Sequence, residues 1–125
     1  MSPDYPADLE RLRAIALALP EAVERTSHGS PGFLIKGGRF FAYMWHDHHG
    51  DDETAVIVKC ADRDEQAMLV GADPAFYYVP AYLGPSGWVA MRVGAADTDW
   101  DRIDDRVARS WELAAPRRLL EAGGR

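Results

Sequence analysis

The sequence predicts an α+β fold, an antiparallel β-sheet meander packed against N- and C-terminal helices, with a short helix before the last strand. Three observations carry that expectation. Apolar residues recur at helical spacing near both ends of the chain, β-branched and aromatic runs fill its middle, and the connections between those runs are short. Short connections suit neighbouring antiparallel strands, whereas parallel strands need long crossovers.

Pro6 suits the first turn of a helix, and Leu9, Leu12, Ile15, Ala16 and Leu19 then fall on one face until Pro20 stops the run. A polar stretch follows. In FLIKGGRFFAYMW, residues 33–45, two strand-like runs flank Gly37 and Gly38, a pair that readily takes the positive φ angles of a tight hairpin turn. Strict alternation along the second run would put Arg39, Phe41, Tyr43 and Trp45 on one face and Phe40, Ala42 and Met44 on the other. One face is then core, and the other is aromatic and partly exposed.

The β-branched run TAVIVKC, residues 54–60, alternates Val56, Val58 and Cys60 with Ala55, Ile57 and Lys59 and reads as the next strand. Asp62 with Glu65 makes a capping-box-like start to a short helix; Ala67, Met68 and Val70 give it apolar positions, and Gly71 stands where it can end. ADPAFYYVPAYLGPSG, residues 72–87, suits an ordered loop pinned by buried rings, and GWVAMRV is the last strand. Thr98 or Asp99 caps the final helix, whose stripe is Trp100, Ile103, Val107, Trp111 and Ala114 before Pro116. Pairs such as Asp105 and Arg109 have the spacing for ion pairs on its outer face.

The 125 residues are read as a single domain, 1–125, with its core at about 6–119. Hydrophobic residues make up 47% and charged residues 27%, and no apolar run approaches the roughly 20 residues of a membrane span, so a soluble protein with no membrane partner is expected. The start MSPDYPADLE has no secretory character and Cys60 is the single cysteine, so a cytoplasmic location is expected. A formal net charge of -6 repels polyanions at long range, so any contact to nucleic acid needs a local basic patch.

The most chemical-looking stretch is MWHDHHGDDE, residues 44–53, where His46, His48 and His49 precede Asp51, Asp52 and Glu53. It matches neither the H-E-x-x-H zinc pattern nor a calcium loop, and it falls between two strands, so it reads as a solvated hairpin loop and no metal site is expected. No nucleophile elbow, phosphate loop, dinucleotide fingerprint or paired-carboxylate pattern occurs. His28 has only Ser27 and Ser30 as near hydroxyls, and sequence neighbours seldom form a nucleophile–base pair; Cys60 reads as a buried, inert thiol. Neither an enzyme nor a cofactor is expected.

Several segments occur in a telling order: LALPEAVERTSHGSPGF from Leu17, GGRFFAYM from Gly37, VKCADRDEQAMLVGADPAFYYVPAYLGPSGWVAMRV from Val58, and SWELAAPRRL from Ser110. Together they resemble the MmcQ/YjbR-like family. That resemblance implies a CyaY-like fold, two helices on an antiparallel sheet, and a DNA-binding protein with a double-wing arrangement.

Two binding readings follow. For nucleic acid, Arg25, Lys36 and Arg39, with Lys59 and Arg63 nearby in sequence, are the candidate contacts, because Lys36 and Arg39 flank a turn whose hairpin can approach phosphates; Phe41, Tyr43 and Trp45 could stack on bases. For a small aromatic drug or metabolite, His28, Phe33, Tyr43, Tyr78, Tyr82 and Trp88 are the candidate pocket. Against both stands the ordinary fate of rings in a small domain, which is to fill the space between sheet and helices.

Overall fold

The computed structural model describes residues 5–47, 53–94 and 96–123. The elements run α1 (Tyr5–Leu17), β1 (Ala22–Ser27), β2 (Ser30–Ile35), β3 (Phe40–His46), β4 (Thr54–Lys59), α2 (Arg63–Ala72), β5 (Tyr77–Tyr78), β6 (Trp88–Arg92), α3 (Trp100–Ala114) and α4 (Arg117–Glu121). The strands form one antiparallel sheet in the order β1-β2-β3-β4-β6-β5. The expected α+β architecture, with terminal helices on an antiparallel sheet, is the observed one.

One face of the sheet carries the main core. Leu9, Leu12 and Ala16 of α1 and Ile103, Val107 and Trp111 of α3 pack on Phe33, Ile35, Phe41, Met44, Val56, Val58, Val89 and Met91. Trp111 is wholly buried and its indole N–H donates to the Pro20 carbonyl at 3.0 Å, which ties α3 to the chain leaving α1. Ser110 is also wholly buried: its hydroxyl donates to the Phe41 carbonyl and accepts from the Lys59 backbone N–H, so one side chain fastens α3 to two strands.

Several elements differ from the expectation, each for a physical reason. The polar stretch after α1 is strand β1, an edge strand whose side chains are mostly exposed and which therefore shows no apolar alternation. The turn joining it to β2 is His28–Gly29, both at positive φ (51° and 81°), the pattern a type I′ hairpin turn requires. Tyr77–Tyr78, expected within a loop, forms the short edge strand β5; α3 stops before Pro116 as expected, and Pro116 then caps a further short helix, α4, outside the expected elements.

The capping of α2 is as expected at Asp62, which accepts from the Glu65 N–H at 2.8 Å, while the Glu65 carboxylate reaches back to the Ala61 N–H. Its buried residue, however, is Gln66, whose amide donates to the Gly84 and Trp88 carbonyls; Ala67 and Met68 face outward, and the helix runs past Gly71 to Ala72. Asp99 caps α3 by accepting from the Arg102 N–H, and Arg109 pairs with Glu112 and not with Asp105.

Alternation along β3 is broken. Phe33 pairs with Ala42 and Leu34 pairs with Phe40, so Phe41 is the extra residue of a β-bulge. Phe41 is thereby wholly buried beneath the helices beside Ala42 and Met44, and Phe40 joins Tyr43 and Trp45 on the opposite face. The expected alternation therefore fails at both phenylalanines: Phe41 leaves the face of Tyr43 and Trp45, and Phe40 joins it.

Candidate functional site

The second face of the sheet has no helix in its apolar cluster among the described residues. Ala55, Ile57 and Ala90 form its floor, and Tyr43, Trp45, Tyr78 and Trp88 lie over that floor together with Leu83 of the β5–β6 connection. A layer of rings that touches the sheet on one side has water on the other; Tyr43, Tyr78, Trp88 and Phe40 are accordingly only half-buried.

Register explains how side chains distant in sequence meet here. Directly paired residues of antiparallel strands point to the same face, so Arg25, Gly32, Tyr43, Ile57, Ala90 and Tyr78 make one row across all the strands. The small members of the row leave room for the large ones. A Cβ built on Gly32 would lie 2.7 Å from the Phe40 ring, so the bare glycine is what lets that ring settle across β2.

On this floor the rings and cations are in sequence. The Arg25 guanidinium lies 5.1 Å from the Phe40 centroid; Phe40 stacks on Tyr43 at 5.2 Å and 15°, and Tyr43 meets Trp88 at 5.4 Å and 50°. Burial pushes the Tyr43 phenol above its ordinary pKa, with Arg25 opposing, so the ring stays neutral through the physiological range. Where β3 begins and β4 ends, an open cleft of about 450 Å3 is bounded by Arg39, Phe40, Tyr43, Lys59 and Trp88 on the sheet and by Leu113 on α3. The Lys59 ammonium is anchored at its mouth by the Ser86 carbonyl, beside Gly87, whose positive φ of 86° closes the preceding turn.

Most of the other cations are paired with acids, and the predicted ones are not. Arg13, Arg92, Arg102, Arg106, Arg109, Arg117 and Arg118 are each in an ion pair with a carboxylate. Among the described residues Arg25, Lys36, Arg39, Lys59 and Arg63 make no ion pair, and the same holds for Arg11, which lies over the Trp100 ring on the helical side. Three of them, Arg25, Arg39 and Lys59, converge on the ring row or its cleft. Lys36 lies in the β2–β3 turn close enough to Glu21 to help Arg118 hold that carboxyl below its ordinary range, and Arg63 opens α2 with its guanidinium on Gln66.

The pocket predicted for a small ligand is only partly assembled. Tyr43 and Trp88 line the cleft and Tyr78 lies in the same ring layer, under the Arg92 guanidinium at 4.6 Å. Phe33 is wholly buried beneath the helices and cannot touch a ligand; Tyr82 is 86% exposed on the β5–β6 connection. His28 is an exposed turn residue at the opposite end of β1 and β2 from the cleft, so its place in the sequence motif is that of a hairpin corner. Phe40 and Arg39, the first a ring that alternation had assigned to the core, complete the site instead.

Of the histidine-rich loop, His48, His49, Asp51 and Asp52 lie outside the described residues. His46 stacks on Tyr5 at 4.2 Å and bonds Thr54 at 2.8 Å. Cys60 is wholly buried, and burial pushes its thiol upward, away from reactivity. Among the described residues no helix is long and apolar enough to cross a membrane.

Comparison with known proteins gives two matches. The family model YjbR matches residues 17–113. The crystal structure of the Deinococcus radiodurans protein DR2400, which carries the family-model domain DUF419, is similar with a TM-score of 0.65 at 18% identity, over 84% of this chain and 76% of that one. At that identity the likeness is one of fold. No curated protein matches.

Proposed function

Since the chain belongs to the YjbR family, we propose that it is a cytoplasmic, non-catalytic protein that binds nucleic acid, with DNA as the expected partner, on the open face of its sheet. The observation carrying this reading is the segregation of cations. In a chain of net charge -6, Arg25, Arg39 and Lys59 have no carboxylate partner among the described residues and gather along one row of half-buried rings. Cations left unpaired are the ones free to exchange their counterions' place with phosphates. Lys36 in the β2–β3 turn and Arg63 at the start of α2 are the further cations of this reading.

The test is an anisotropy titration of labelled DNA against salt. Binding at about 50 mM salt that weakens steeply as salt rises is expected. Arg25→Gln with Arg39→Gln and Lys59→Gln should flatten the salt dependence, by about 0.7–0.9 in log–log slope for each phosphate no longer neutralised. Arg109→Gln with Arg117→Gln, on cations that are already paired, should leave it unchanged. No binding to any nucleic acid at low salt would end this reading.

A second reading has its own support, the cleft of about 450 Å3. Its size is within the range of small-molecule sites, roughly 300–1,000 Å3. A planar metabolite with an anionic group would find rings on one wall and Arg39 and Lys59 at the rim.

A further inference from the structure

We propose that the site is specific for single strands, and that the cleft between the start of β3 and α3 receives one unpaired base while Arg39 and Lys59 hold the phosphate beside it. This rests on the nucleic-acid reading and identifies its partner. A base within a duplex offers only its edges in the grooves; its flat faces are taken up by neighbouring bases. An unpaired base, in contrast, can lie flat against an aromatic side chain. What this face offers is rings: Phe40, Tyr43 and Trp88 border the cleft, and Leu113 closes it from the other side. Its volume of about 450 Å3 suits a single nucleotide and not a double helix.

The charges are arranged for the same occupant. Arg39 and Lys59 are the cations among the cleft's lining residues, which include no Asp or Glu. The Lys59 ammonium donates one hydrogen bond to the Ser86 carbonyl, which leaves its other N–H groups available at the mouth. Arg25 lies at the far end of the ring row, behind Phe40, where a following phosphate of the same strand would pass. The phenol of Tyr43 is uncharged and does not repel the strand. The chain's overall negative charge then works for selectivity, because it repels a duplex, with two charged backbones, more than a single strand.

Anisotropy measurements with a labelled oligothymidine of roughly 10 nucleotides, the same length of duplex, and an otherwise identical abasic strand test this directly. The single strand should bind tightest. Trp88→Leu and Tyr43→Leu, which remove a stacking face, should each weaken it by roughly 5- to 150-fold, the loss expected for one base stack, with little effect on residual duplex binding. Urea unfolding of each variant separates weakened binding from a weakened fold, and Gly32→Ala provides a variant that retains every ring but displaces Phe40. Equal affinity for duplex, or for the abasic strand, would overturn the single-strand proposal while leaving phosphate binding standing. Thymidine monophosphate binding as tightly as the oligomer would overturn it in favour of a nucleotide-sized ligand.

Discussion

The two faces of this sheet are built from the same strands and do opposite things with their aromatic residues. Beneath the helices, Phe33, Phe41 and Trp111 are wholly buried, and Arg106 and Arg102 are neutralised by Glu65 and Asp73. On the open face Phe40, Tyr43 and Trp88 are half-buried, and Arg25, Arg39 and Lys59 face them without an acid partner among the described residues. Arg92 is the exception, an open-face cation held by Glu53 and the Pro74 and Ala75 carbonyls. Rings fully enclosed contribute to stability; rings left half in water, beside free cations, have binding capacity to spare.

Substitutions on the two faces should therefore separate the two properties. The largest effect expected is Trp111→Ala, which removes the biggest wholly buried side chain and the bond to Pro20, at a cost of about 3–5 kcal/mol in urea unfolding. Trp88→Leu, by contrast, should cost less stability, about 1–2 kcal/mol, because part of that ring is already in water. Equal costs for the two would erase the distinction between the faces.

Ser110→Ala comes next. It leaves the Phe41 carbonyl and the Lys59 N–H without their buried partner and should cost about 1–3 kcal/mol, and because Lys59 and Phe41 border the site, it should also loosen nucleic-acid binding. A fall in stability with unaltered binding would mean that the two faces are independent of this linkage. Gly32→Ala should weaken binding by displacing the Phe40 ring from the row, and it also presses on the Arg25 carbonyl at 3.1 Å, so a modest loss of stability is expected beside it. Retained affinity would remove Phe40 from the site.

The smallest effect concerns acid. The Ala61 N–H and the Arg106 guanidinium hold the Glu65 carboxyl below its ordinary value of 4.5. A carboxyl depressed in the folded state contributes stability that is present above its unfolded value and is lost as pH falls through the folded one. Stability measured by urea should accordingly decline below about pH 4.5, and Glu65→Gln should make that decline shallower. Among the described residues Arg25, Arg39 and Lys59 have no such carboxylate, so their substitution should leave the acid limb as it is.

Much of this architecture was legible because its signals are local. Gly37 and Gly38 mark one hairpin, TAVIVKC marks β4, and the stripe from Trp100 to Ala114 marks α3. The edge strands were hidden for reasons that belong to edges: β1 keeps polar residues on its exposed sides, and β5 is a pair of residues fixed by β6. The cations of the site could be chosen from their place around the turn, but their meeting with Phe40 and Trp88 depends on register, which no local pattern records. His28 stood out for its place in the SHGSPGF motif, and there it turns the chain at a hairpin corner.

The bulge at Phe41 decides which reading of β3 is correct. One additional residue changes the parity of the strand, so that Phe41 shares the interior face with its neighbour Ala42 and Phe40 is turned to the cleft. Deleting either would bring the strand back into phase and force a choice between an intact core and an intact ring row. In any relative with a similar strand, the position of that single-residue insertion must be found before its aromatic residues can be divided between folding and binding.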